Sequence, residues 1–228
     1  MVQVDIYCIL THLRRSILNE KSPAGIRSFH SGFEWIAVYL GASFTETDME
    51  LPAFHEWIRR KYSLPRTRLT DGVFYLMASE PSTAMALMLE AYDSYYLAFP
   101  SAKKIRYEVN VNADTRHCGF PEVVDAIFAN CQTLFPEGRL ELLCDFLNGV
   151  CFGFSVFAPE LNWSLHLINF RNWLINRYAI KLATEHTTLC GVLLYLHYCR
   201  PVVVNSLLLA FHDDVKRYGH ESTNMRQP

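Results

Sequence analysis

Apolar residues recur along most of this chain with the period of a helix. Ile6, Ile9, Leu10, Leu13 and Ile17 fall on one helical face. The polar break Asn19 to Lys21 follows. Ser22-Pro23 then has the form of a helix start, a hydroxyl N-cap before a proline in the first turn. Ile26, Phe29, Phe33, Ile36 and Leu40 line the next helix, and Gly41 can end it. A short helix is predicted from Pro52 to Tyr62, another from Asp71 to Ala78, and a longer one from Ser79-Glu80-Pro81 to the stop at Pro100. Residues 104–111 break the trend. Polar and apolar residues alternate there, as in a strand, and 112–119 read as loop. A lone strand would have no partner in a helical chain, so this stretch is expected to be an extended linker. Helical patterns resume over Pro121 to Phe135, Leu140 to Phe157, Leu165 to Tyr178, Thr188 to Tyr198 and Pro201 to Tyr218, with Gly219 as the expected terminator.

The same order of landmarks occurs twice. Phe54, Trp57, Ile58, Lys61 and Tyr62 are matched in spacing by Phe170, Trp173, Leu174, Arg177 and Tyr178. Phe29-x-x-Gly32 precedes the first block and Phe146-x-x-Gly149 the second; Gly72-Val73 and Pro81 follow the first, Gly191-Val192 and Pro201 the second. Self-similarity at a fixed spacing is the signature of a repeated structural unit. The expected fold is therefore all-α, a tandem duplication of a unit of about five helices packed as a pseudo-dimer. The boundaries read 1–100 for the first unit, 101–119 for the linker, 120–220 for the second unit and 221–228 for a flexible tail. On a helix the repeated block shares one face. Its first reading is core packing, with the basic residue burying its stem and laying its charge over a ring. Glycine within a helix costs about 1 kcal/mol relative to alanine, so two glycines at matched positions imply close helix–helix approach.

Composition narrows the class. The 228 residues are 50% hydrophobic and 19% charged with a formal net charge of -2, which excludes a disordered chain and gives no global signal for nucleic acid or an acidic membrane. The seven cysteines are scattered, with no Cys-x-x-Cys pair and no zinc-ligand spacing, as in a reduced cytoplasmic protein. Leu189 to Phe211 is apolar enough to suggest a membrane span, but Arg200-Pro201 divides it, and two buried helices are expected instead.

No phosphate loop, nucleophile elbow or metalloprotease motif is present in the sequence, and no cofactor or metal is expected. His212-Asp213-Asp214 reads as a solvated helix end. Arg59, Arg60, Lys61, Arg66 and Arg68 form the one basic cluster, with Trp57 and Tyr62 among them. The run Pro52 to Tyr62, then Thr70-Asp-Gly-Val-Phe74, then Ala84 to Tyr95 resembles small uncharacterised bacterial helical proteins, some of them immunity-like. The resemblance covers about 70 residues. Those proteins carry an Arg-Pro-x-Met-Tyr-like segment before their second helix, where this chain has Lys21-Ser-Pro-Ala-Gly25. It implies no catalytic residues. It does imply a protein-binding role, with a toxin as the kind of partner blocked. Candidate partner-binding residues are Arg59, Arg60, Arg66, Arg68, Tyr107 and Arg116. The reading leans away from an enzyme and expects a monomeric pseudo-dimer or a homodimer without a membrane span. Its rivals are an enzyme with a site between the repeats, drawing on His12, His55, His212 and Asp213, and nucleic-acid binding through Arg59 to Arg68.

Overall fold

The computed structural model describes residues 2–5, 21–45, 54–65, 71–100, 104–109, 123–127, 139–159, 162–181, 183, 187–196 and 201–224. The chain is mainly helical. Its elements are β1 (Val2–Asp5), α1 (Pro23–Tyr39), β2 (Ala42–Thr45), α2 (Phe54–Lys61), α3 (Asp71–Met77), α4 (Pro81–Ala98), β3 (Lys104–Val109), α5 (Leu140–Phe157), α6 (Trp163–Arg177), α7 (Leu189–Tyr195) and α8 (Pro201–Asn224). Residues 123–127 are also helical. The expected helix 6–17 lies outside the described residues.

Local signals set most helix ends. The Ser22 hydroxyl accepts from the Gly25 N–H at 3.3 Å and proline occupies the first turn of α1. Beyond the other end, Gly41 takes φ 73° and turns the chain directly into β2. Thr188 caps α7 through the Gly191 N–H at 3.0 Å. Leu189 to Phe211 is broken as expected: α7 stops at Tyr195 and α8 begins at Pro201. Gly219 does not stop α8, which runs on to Asn224.

The all-α expectation holds for the bulk of the chain, and a small sheet accompanies the helices. β3 is the strand that the alternation over 104–111 predicts, but it is not alone. It lies at the centre of a three-stranded antiparallel sheet, β1-β3-β2, with Val2 opposite Tyr107 and Phe44 opposite the same residue on the other side. Part of the expected linker is thus hydrogen-bonded to the N-terminal set of elements. Two partners satisfy the backbone groups that a single strand would have left open.

The centre of the core is the pair α1 and α5. Phe29, Phe33 and Ile36 from one, and Phe146, Val150 and Phe154 from the other, are fully buried. Phe33 meets Phe152 at 5.7 Å and Phe157 at 5.4 Å between ring centroids, and Phe29 meets Phe152 at 5.9 Å. The Ser28 hydroxyl donates to the Leu142 carbonyl at 2.6 Å. The two glycines of the repeated Phe-x-x-Gly element lie at this crossing, each on the other helix's backbone. A Cβ on Gly32 would fall on the Phe146 carbonyl, 2.9 Å from its carbon and 3.1 Å from the Val150 nitrogen. A Cβ on Gly149 would fall on the Phe29 carbonyl, 2.9 Å from its carbon and 3.0 Å from the Phe33 nitrogen. The contact is reciprocal: Gly32 on Phe146, Gly149 on Phe29. Among the described residues α5 is the one helix long and apolar enough to cross a membrane, and two-thirds of it is buried within the molecule.

Two further details recur. α2 ends with Ser63 at φ 51°, Ser63 N–H donating to the Arg60 carbonyl at 3.4 Å and Leu64 N–H to the Arg59 carbonyl at 2.9 Å. α6 ends with Ala179 at φ 51°, Ala179 N–H donating to the Asn176 carbonyl at 3.2 Å and Ile180 N–H to the Ile175 carbonyl at 2.9 Å. Both are Schellman caps built without the usual glycine.

Two stability predictions follow from this geometry. Alanine at Gly32 or Gly149 gains about 1 kcal/mol of helix propensity but forces apart backbones that cannot rotate away, so each variant is expected to lose about 2 kcal/mol net. Gly72→Ala, where a Cβ meets nothing within 4 Å, is the control and should not destabilise. Urea unfolding monitored by circular dichroism reads all three. At the caps, Ser63→Gly and Ala179→Gly should each raise stability by about 1 kcal/mol by relieving left-handed strain, seen as a higher melting temperature.

Candidate functional site

Helix α2 carries the strongest concentration of binding-type side chains among the described residues. Ile58 is fully buried and Phe54 and Trp57 pack partly against the core, which leaves Arg60 and Lys61 outward. Basic residues in the last turn suit the negative end of the helix dipole. Phe54 stacks on Tyr92 at 3.7 Å, and Trp57 meets Tyr95 edge-on at 5.7 Å and 65°. The Lys61 ammonium lies 4.6 Å from the Trp57 ring centroid and 5.7 Å from that of Tyr62. Arg60 Nε donates to Glu56 Oε1 at 3.3 Å, and Arg59 approaches the other carboxylate oxygen at 3.9 Å. The expected packing of the repeated block, ring inward and cation over the ring, is therefore observed.

The matching face of α6 has the same frame and one added group. Phe170 and Trp173 are 6.1 Å apart at 23°, against 6.2 Å and 26° for Phe54 and Trp57. Phe211 of α8 meets Trp173 at 5.7 Å and 59°, in the place of Tyr95. The Arg177 guanidinium sits 4.9 Å from the Trp173 centroid. Here Asp214 Oδ2 accepts from Trp173 Nε1 at 3.1 Å and from Arg177 Nη1 at 3.2 Å. Asp214 is thus not part of a merely solvated helix end; it closes an indole, guanidinium and carboxylate cluster. The signal was present in the sequence, because Asp214 lies three residues beyond Phe211 and so one turn along the same face.

Of the sequence candidates, Arg59 and Arg60 share Glu56 on α2, and Tyr107 occupies the central strand β3. Arg66, Arg68 and Arg116 lie outside the described residues, as does His12. His55 is exposed on α2, while His212 and Asp213 are on α8. No group of three or more His, Cys, Asp or Glu side chains suited to a metal ion occurs among the described residues.

Among the described residues the buried polar groups are few. The neighbouring Cys190 thiol and burial push the Cys144 thiol well above its ordinary range; burial does the same to Cys151. Such thiols are poor nucleophiles. Asn205 on α8 is 0% exposed and neither of its amide atoms is hydrogen-bonded, whereas Leu89 stands at the matching place on α4. On α1, the His30 Nδ1 contact to Glu34 at 3.3 Å holds the Glu34 carboxyl below its usual range.

No family model, curated protein or solved structure matches the chain. The chain is a mainly helical protein with a small antiparallel sheet.

Removing the carboxylate tests the α6 cluster. Asp214→Ala leaves an indole N–H and a guanidinium unpaired, and because the site is half-exposed the loss should be about 1 kcal/mol. The difference from the parent protein should shrink in 1 M salt, measured by urea unfolding at both ionic strengths.

Proposed function

We propose that this protein is a non-catalytic binding module for another protein, built as two fused copies of one helical unit, and that its role is of the immunity type, blocking a toxin in the cytoplasm. The observation that carries the binding role is the outward basic and aromatic face of α2, where Arg60 and Lys61 stand exposed beside Trp57 and Tyr62. Arginine, tryptophan and tyrosine are the side chains that dominate binding energy at protein interfaces. Exposed apolar residues lie on neighbouring helices in the chain, Leu76 at 74% on α3 and Leu97 at 76% on α4, which suits a surface that is covered in a complex.

The two-copy reading is supported by the reciprocal glycine contact, by paired aromatic frames that agree within 0.1 Å in the Phe–Trp separation, and by two Schellman caps with the same φ. A contact in which position i meets j and j's counterpart meets i's is the mark of a two-fold interface. Fusion of two such partners would fix it within one chain.

Capture from the source cell, followed by reconstitution with the purified partner, tests the role. The Arg59→Glu/Arg60→Glu variant, with its helical circular dichroism retained, should bind that partner at least tenfold more weakly. Recovery of no protein partner, or a charge reversal without effect, overturns the proposal. A partner that proves to be nucleic acid would show binding that falls steeply with salt and would replace it.

A further inference from the structure

The two tryptophan faces differ at one place, and the difference defines a ligand. On α6 the frame is complete: the Trp173 indole N–H and the Arg177 guanidinium converge on one carboxylate oxygen of Asp214. On α2 the same frame is present with Trp57 for Trp173, Lys61 for Arg177 and Tyr95 for Phe211, the last pair meeting their tryptophans at 5.7 Å in both cases. Asp214 lies three residues beyond Phe211; three residues beyond Tyr95 is Ala98, which is exposed. Among the described residues neither Trp57 nor Lys61 is bonded to a carboxylate, and Glu56 on the same helix pairs with Arg59 and Arg60.

We infer that the Trp57–Lys61 face is a docking point for an acidic side chain, aspartate or glutamate, of a protein partner. The chain itself supplies the template, because the carboxylate that fits this frame is the one Asp214 provides on α6. Charge favours the same occupant: Arg59, Arg60 and Lys61 occupy the last turn of α2, so an incoming acid meets cations, an indole donor and a ring that screens the contact from water. The inference deepens the protein-binding reading and rests on it.

The four tryptophans give four indole N–H resonances in a nitrogen-15 spectrum of the whole chain, assigned by Trp→Phe substitution. Poly-L-glutamate is the probe, titrated at constant ionic strength. The Trp57 resonance should shift and saturate while that of Trp173 stays within a line width. Lys61→Gln should weaken the apparent affinity about tenfold. Ala98→Asp, which supplies the acid from within, should move the Trp57 resonance without probe and abolish its titration. A Trp57 resonance that stays still, that moves together with Trp173, or that still titrates in Ala98→Asp overturns the site. So does a response to tripolyphosphate or oligouridylate at lower concentration than to poly-L-glutamate, which would mark a phosphate site. The two readings fail separately: a reconstituted partner indifferent to Ala98→Asp and Lys61→Gln removes this docking point and leaves protein binding, whereas a saturating titration with no cellular protein partner does the reverse.

Discussion

The rest of the structure depends on two helix backbones lying in contact at Gly32 and Gly149. Side-chain-to-side-chain packing normally keeps helix axes 8–10 Å apart. Here neither helix carries a Cβ where it meets the other, and the carbonyls of Phe146 and Phe29 fill the space. That approach lets the phenylalanines on either side interdigitate across the crossing, Phe33 against Phe152 and Phe157, and Phe29 against Phe152. The propensity cost of two helical glycines, about 1 kcal/mol each, is small beside the burial of such rings, worth about 1.5–3 kcal/mol apiece. Once α1 and α5 are fixed, each serves as the floor on which the other elements are laid.

From that axis outward the matched pieces fall into place for the same physical reasons on both sides. α2 and α6 each bury an aliphatic residue, Ile58 and Leu174, and turn a Phe–Trp pair toward an aromatic residue on the last helix of the set. Each ends in a left-handed residue followed by an apolar one, Leu64 or Ile180, that packs back on the core. A serine and an alanine held in that conformation without glycine's freedom show tertiary packing overriding local preference. The small sheet has no such counterpart among the described residues. It joins the chain's start, the exit from α1 and the segment after α4, and its first strand also lies against α5.

Much of this was legible in sequence because it rests on period and on Gly, Pro and Ser punctuation. The helix starts at Ser22-Pro23 and Pro201, the break between α7 and α8, and the close-packing role of the glycines could be read from single residues. That Gly32 lies on the α5 backbone and Gly149 on the α1 backbone could not, because spacing along a chain does not say which helices cross. The strands β1 and β2 alternate correctly, Val2 and Val4, Phe44 between Ser43 and Thr45, but four residues are too few to outweigh helical surroundings. The cluster at Asp214 had a partial signal, its spacing from Phe211, that its polar neighbours outweighed. Three polar residues in a row near the end of a helical pattern look solvated, and only the position of Phe211 against Trp173 brings one of them onto the indole.

The unequal filling of the two tryptophan frames has a physical basis in the lengths of the helices behind them. Asp214 lies well inside α8, which extends to Asn224, so its charge is remote from the helix terminus. Ala98 is the last residue of α4. An acid there would stand at the negative end of the helix dipole, a placement that costs about 0.3–1 kcal/mol. The shorter helix therefore disfavours an internal carboxylate at the very place where the longer one holds it, and the Lys61 and Trp57 donors are left directed outward. A partner's acid arriving from solvent is not tied to α4 and can approach along the ring and ammonium rather than along the helix axis. The same frame thus acts as an internal fastening on α6 and as an open receptor on α2, and the difference between the two roles comes down to where a helix ends.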